Sequence, residues 1–187
     1  NVCNNKCYYC NSQRYLREHP TKIQRWGREY MEDLLIELAR WGVKAVCWGG
    51  GGESTLNLRL AEMNRTAHVC GLDSAIITNG IHLDDDLIDS LMLCRWVGVS
   101  VDSFKPGVYQ EVRGTDDCAR VYTNISKMVK KRTRTDIAVK CLVLPQTVDS
   151  LLFTCQKAKD LGVQDFHVRP VDLWRKDFKP DQSIEVD

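Results

Sequence analysis

Three thiols crowd the start of the chain. Cys3, Cys7 and Cys10 stand four and three residues apart on a short polar stretch, NVCNNKCYYCNSQ, and can converge on one point. Thiolates so spaced bind soft metal centres, either zinc or an iron–sulfur cluster. A structural zinc site is ordinarily closed by four protein ligands, yet no cysteine or histidine follows within eight residues, His19 being the nearest. A cubane cluster also takes four ligands, so three cysteines leave one iron open to something other than protein. The spacing favours the cluster and keeps zinc as the alternative.

Further along, polar or glycine-rich turns follow short apolar runs: WGGGGEST at 48–55, ITNG at 77–80, VSVD at 99–102, LPQ at 144–146 and VRP at 168–170. Glycine lets backbone approach a ligand with no Cβ in the way, and Glu53 adds a negative charge beside Gly51 and Gly52. Ser100 and Asp102, two residues apart, share a face if they end a strand. Thr78 and Asn79 belong to a TNG sequence that is also an ordinary turn. Lone histidines such as His82 and His167 more often serve structure than chemistry.

CNNKCYYC has the form C-x3-C-x2-C with an aromatic residue before the last cysteine. It resembles the cluster loop of the radical S-adenosylmethionine (radical SAM) superfamily. GGE, TNG and SVD resemble that superfamily's second, third and fourth strand ends, so the likeness runs from Cys3 to about Pro170. The resemblance implies a [4Fe-4S] cluster on Cys3, Cys7 and Cys10, with S-adenosylmethionine (SAM) on the open iron and Tyr9 near its adenine. Gly51, Gly52 and Glu53 would meet the methionyl ammonium. Ser100 and Asp102 would reach the ribose or the methionine carboxylate, and Thr78 and Asn79 would line the same mouth. Arg113 would pair with the cofactor carboxylate or else form a surface ion pair, and Arg169 would meet cofactor or substrate. The family usually has proline where this chain has Ser54, which loosens the turn but keeps its acceptors.

The implied reaction is reductive cleavage of SAM to a 5′-deoxyadenosyl radical that takes hydrogen from a substrate. A one-electron donor such as flavodoxin or ferredoxin would feed it. The substrate and any catalytic side chain are not visible. The segment 99–114 resembles members that modify peptides, sugars or other natural-product scaffolds. Two readings from other classes stand beside it, an iron–sulfur electron carrier and a zinc-stapled binding module. The electron carrier would not need GGGGE or the polar strand ends.

The elements that must position these residues alternate. Apolar strand-like runs fall at about 43–48, 74–77, 96–101, 137–144 and 165–168. Helical spacing covers 29–41, 58–70, 84–94, 119–131 and 148–161, with a helical turn at 108–112. In the 148–161 helix Val148, Leu151, Leu152 and Cys155 share the apolar face. Alternation of this kind means a parallel sheet with helices outside, and its chemistry lies at the C-terminal strand ends. The fold class expected is α/β, a partial (β/α)6 TIM-like barrel. The resembling family places a strand before the cysteine loop, so the first strand is expected to be missing and residues 1–187 to be one core domain cut from a longer protein. About 171–187 reads as a polar tail.

Composition narrows the rest. The 26 basic and 25 acidic side chains leave a net charge of +1 and no case for nucleic acid. The basic run at 127–134 ends a helix, where cations complement the dipole. No stretch reaches the ~18 apolar residues of a membrane span. Nine cysteines, an odd number read without a signal peptide, lead to the expectation of a reducing, cytoplasmic setting. Cys47, Cys70, Cys94, Cys141 and Cys155 are expected to be small buried hydrophobes, with Cys118 a remote candidate for a further ligand.

Overall fold

The structure is a computed structural model and describes residues 2–18 and 28–171. Its elements run α1 (Asn11–Glu18), α2 (Arg28–Arg40), β1 (Ala45–Trp48), α3 (Leu60–Val69), β2 (Asp73–Thr78) and α4 (Asp85–Leu91). They continue with β3 (Trp96–Ser100), α5 (Pro106–Arg113), α6 (Cys118–Lys131), β4 (Asp136–Val143), α7 (Leu151–Leu161) and β5 (Asp165–Pro170). The five strands form one parallel sheet in the order β1-β2-β3-β4-β5. The sheet is not closed, so it is the wall of a partial barrel, as the alternation predicts. The polar tail read at 171–187 lies outside the described residues from 172 onward.

Strand alternation divides the sheet into two faces. Ile76, Val97, Val99, Ile137 and Val139 are fully buried with Ile88 and Leu91 of α4 and Val121, Ile125 and Met128 of α6. Local signals fix where these helices start and stop. Asp84 accepts a hydrogen bond from the Leu87 amide at 2.8 Å, capping α4. Gly114 and Gly162 end α5 and α7 in the left-handed conformation, the usual place for glycine.

Three expectations need correction. The helical turn at 108–112 is an eight-residue helix, started by Pro106 at its first turn. In α7 the buried positions are Thr154 and Ala158, while Leu152 is 86% exposed and Cys155 is also exposed. Thr154 belongs inside because its hydroxyl donates to the Ser150 carbonyl at 2.8 Å and accepts the Phe104 amide at 3.1 Å. Nor are all the single cysteines buried. Cys94, Cys118 and Cys141 are, but Cys47 and Cys155 are exposed and Cys70 is half-buried, and none of the nine forms a disulfide.

Burial raises the pKa of the Cys94 and Cys141 thiols above the ordinary thiol value. Unfolding frees them to ionise at roughly pH 8.5, so above that pH the unfolded chain binds fewer protons than the folded one. Stability is therefore expected to be level below about pH 8 and to fall as pH rises through 9 to 10. Denaturant midpoints at pH 7.5 and 10, taken under reductant, check this; equal midpoints would refute it.

Candidate active site

The cysteine loop lies as a strap across the C-terminal strand ends, tied at both sides. At the β1–β2 side, the Glu53 amide donates to the Val2 carbonyl at 2.7 Å. The Asn79 side-chain amide donates to the side-chain oxygens of Asn4 (2.6 Å) and Asn5 (3.3 Å). At the β3 side, the Lys6 amide donates to the Arg113 carbonyl at 3.0 Å, and the Cys7 sulfur lies 3.8 Å from that oxygen. Gly114 leaves room for this approach, since a Cβ there would stand 2.8 Å from the Lys6 Cβ. Ties to the turn after β1, to the residue after β2 and to the end of α5 hold the segment carrying the three thiols.

Glu53 is the hub of the first side. Its Oε1 accepts from the Thr55 amide (3.1 Å), the Thr55 hydroxyl (2.8 Å) and the Thr78 hydroxyl (2.7 Å). Its Oε2 accepts from the Asn79 amide at 2.7 Å. The carboxylate thus joins the glycine turn after β1 to the end of β2. Gly50, Gly51 and Gly52 all have positive φ, at 83, 68 and 153°, which is why the turn is built of glycine. Gln in place of Glu53 would set an NH2 against one of these donors whichever way it turned. Glu53→Gln is expected to lose about 1–3 kcal/mol, a fall in Tm of roughly 2–12 °C, readable in a thermal melt. A melt unchanged from wild type would contradict that role.

The second side is a buried ion pair. Arg113 and Asp102 are 5% and 2% exposed, with Arg113 Nη1 3.2 Å from Asp102 Oδ2. The Tyr9 hydroxyl donates to the same oxygen at 2.5 Å and accepts from Arg113 Nη1 at 2.6 Å. Asp102 Oδ1 accepts the Leu142 amide at 2.9 Å, and Arg113 Nη2 donates to the Ser100 carbonyl. Burial above all raises the Tyr9 pKa, keeping the phenol protonated as a donor. Burial alone would lower the Arg113 pKa, but the Asp102 carboxylate, with the Tyr9 hydroxyl oxygen as a further acceptor, more than reverses it and holds it well above its ordinary value.

Sequence-predicted residues therefore fall into two groups joined by the strap. Gly51, Gly52, Glu53, Thr78 and Asn79 form one; Tyr9, Ser100, Asp102, Arg113 and Arg169 surround one cavity of about 300 Å3. Arg113 is in an ion pair, but an internal one and not on the surface. Asp102 does not continue the strand: β3 stops at Ser100, and Asp102 has φ 65°, the only positive φ of a non-glycine residue among the described residues. That turn swings its carboxylate under the strand end toward Leu142 and Arg113. His82 is exposed, and His167 pairs with Asp165 at 2.6 Å. Sequence reasoning missed Asn4, Asn5 and Lys140. The signal for Lys140 was a single cation inside the apolar run DIAVKCLV.

The donor set fits an iron–sulfur cluster. Cys3, Cys7 and Cys10 are not joined by a disulfide and sit on one loop, Cys7 buried and the others half-buried. Among the described residues no three metal-ligating side chains gather closely enough for a single ion. A cubane instead places each thiolate on a different iron and so spreads them. Soft sulfur ligands suit it.

The model of the Radical SAM superfamily matches residues 1–164. A probable GTP 3',8-cyclase of Thermococcus kodakarensis is 30% identical over 132 residues, 68% of this chain and 41% of that protein. An S-adenosylmethionine-dependent nucleotide dehydratase of Flammeovirga pacifica is 27% identical over 129 residues, 65% of this chain and 43% of that protein. A PqqA peptide cyclase of Bradyrhizobium diazoefficiens is 27% identical over 157 residues, 80% of this chain and 36% of that protein. The chain spans less than half the length of each of these three. Among solved structures, anSMEcpe with bound AdoMet and a peptide superposes with TM-score 0.76 at 18% identity, over 98% of this chain and 52% of that one. Streptococcus suis SuiB bound to S-adenosylmethionine gives 0.71 at 11%, over 95% and 38%.

Proposed function

This chain belongs to the radical SAM superfamily, and from that premise we propose that it is the cofactor-binding core of an enzyme that cleaves SAM reductively and acts on a substrate by hydrogen abstraction. When bound, the [4Fe-4S] cluster supplies the electron that splits SAM into methionine and a 5′-deoxyadenosyl radical. The protein's part is position and exclusion of water. Cys3, Cys7 and Cys10 hold the cluster. The glycine turn at 49–52 gives backbone access for the methionyl ammonium, with the Glu53 charge behind it. Ser100, Thr78, Asn79 and Arg169 line the approach, and the buried Tyr9–Asp102–Arg113 group fixes the far end of the cysteine loop. A low-potential flavodoxin or ferredoxin serves as electron donor.

The observation that supports this most is the two-sided anchoring of the loop. An electron carrier has no need to tie its cysteines to the ends of three different strands, nor of a glycine turn beside them. The test is anaerobic: reconstitute the protein with iron and sulfide, add SAM and dithionite, and measure 5′-deoxyadenosine. Deoxyadenosine formed in proportion to cluster content supports the reading. A full cluster with no deoxyadenosine leaves an electron carrier, and a zinc-loaded, colourless protein leaves a binding module.

A further inference from the structure

The 300 Å3 cavity at the ends of β3–β5 carries one charge that the reading above does not use, that of Lys140. Arg113, Lys140 and Arg169 face it together with a single carboxylate, Asp102. Arg113 takes that carboxylate, and His167 at the same wall takes Asp165. Lys140 and Arg169 have no carboxylate and no hydrogen-bond partner among the described residues. Lys140 sits half-buried on β4, two strand positions from Leu142, whose register partner on β5 is Arg169. Burial first, and then the like charge of Arg169, lower the pKa of the Lys140 ammonium.

Lys140 is also held in place. Its ammonium rests 5.2 Å from the centre of the Trp96 ring, and Trp96 stacks on His167 at 5.6 Å. Gly98 makes the room: a Cβ there would stand 2.1 Å from the indole and 2.8 Å from the Lys140 Cδ. Lys140, half-buried and resting on the Trp96 ring, and Arg169, exposed at the cavity rim, have no ion-pair partner among the described residues, and together they make a site complementary to an oxyanion. The cavity is at the small end for a ligand cleft, the size for one end of a substrate and not for a folded partner.

We propose that Lys140 and Arg169 bind the phosphate groups of a phosphorylated small-molecule substrate, on the sheet face beside the cofactor end. This rests on the reading that the strand ends take SAM. Phosphate is favoured over carboxylate because two cations outside any ion pair, with only the more distant Asp165 charge acting on Lys140, match a group carrying more than one negative charge.

The test uses cluster-loaded protein, without oxygen and saturated with SAM, titrated calorimetrically with inorganic tripolyphosphate and, in a parallel arm, with succinate. Saturable tripolyphosphate binding is expected in the presence of SAM. It should weaken with added salt, fall roughly tenfold or more in Lys140→Gln and recover in Lys140→Arg, with thermal melts confirming that both variants fold. Absence of saturable binding overturns the proposal, as does equal affinity in Lys140→Gln. Displacement of tripolyphosphate by SAM overturns it too, since the cations would then serve the cofactor's carboxylate. Succinate binding as tightly as tripolyphosphate overturns the choice of phosphate. Deoxyadenosine formation by the same wild-type sample reports separately on SAM cleavage, so either reading can fail without the other.

Discussion

Replacing Cys3, Cys7 or Cys10 singly with alanine is expected to remove both the brown chromophore and all deoxyadenosine formation. On the proposed reading each thiolate would hold a different iron, so the two remaining ligands would not retain the cluster. Exposed Cys155 and half-buried Cys70 lie away from the loop, and their alanine variants should keep both properties. Cys7 needs a second control because it is buried beside the Arg113 carbonyl, where a smaller side chain also leaves a gap. Cys7→Ser fills that gap while replacing soft sulfur with hard oxygen. It should fold with the wild-type circular dichroism spectrum and still fail to hold iron. Iron and sulfide analysis of the reconstituted variants gives the answer. A Cys7→Ala protein with a full cluster and measurable deoxyadenosine would show that the motif has been misread.

What was legible in the sequence was whatever is decided locally. Thiol spacing, a run of four glycines and turn residues after apolar runs are set by neighbours in the chain, and they marked the cysteine loop and all five strands to within two residues. What was illegible depended on partners far away. Arg113 lies in an ordinary amphipathic helix, and only the fold brings it under the end of β3 to meet Asp102 and Tyr9. The turn at Asp102 has the same origin, since its carboxylate is called to the Leu142 amide 40 positions on. In α7 the apolar residues suggested one face and the fold chose another, because Thr154 satisfies its hydroxyl at the Ser150 carbonyl. Lys140 was hidden for the opposite reason. A single cation in a strand looks like an edge position until Trp96 and Gly98 are seen to shape a place for it.

Arg113→Met is expected to be the most destabilising single change outside the apolar core. It leaves the Asp102 carboxylate buried with the Tyr9 hydroxyl and the Leu142 amide but no cation, and it orphans the Ser100 carbonyl. Removing one partner of a buried ion pair costs about 3–5 kcal/mol, which for a chain of this size is a fall in Tm of roughly 6–20 °C. Asp102→Asn should cost less in packing but leaves the guanidinium without its counter-charge, so a clear fall is expected there too. The effect should reach the cysteines. Tyr9 is bonded to both members of the pair, and without them one end of the strap is held mainly by the Lys6 amide on the Arg113 carbonyl. Cluster iron should then pass to a chelator faster in Arg113→Met than in wild type at a temperature where both are folded. A residue that served only to grip the cofactor would behave differently: SAM affinity would fall while the melt and the rate of iron loss stayed where they were. A Tm within 2 °C of wild type (about 1 kcal/mol or less) would therefore remove the ion pair from the account of how this loop is held.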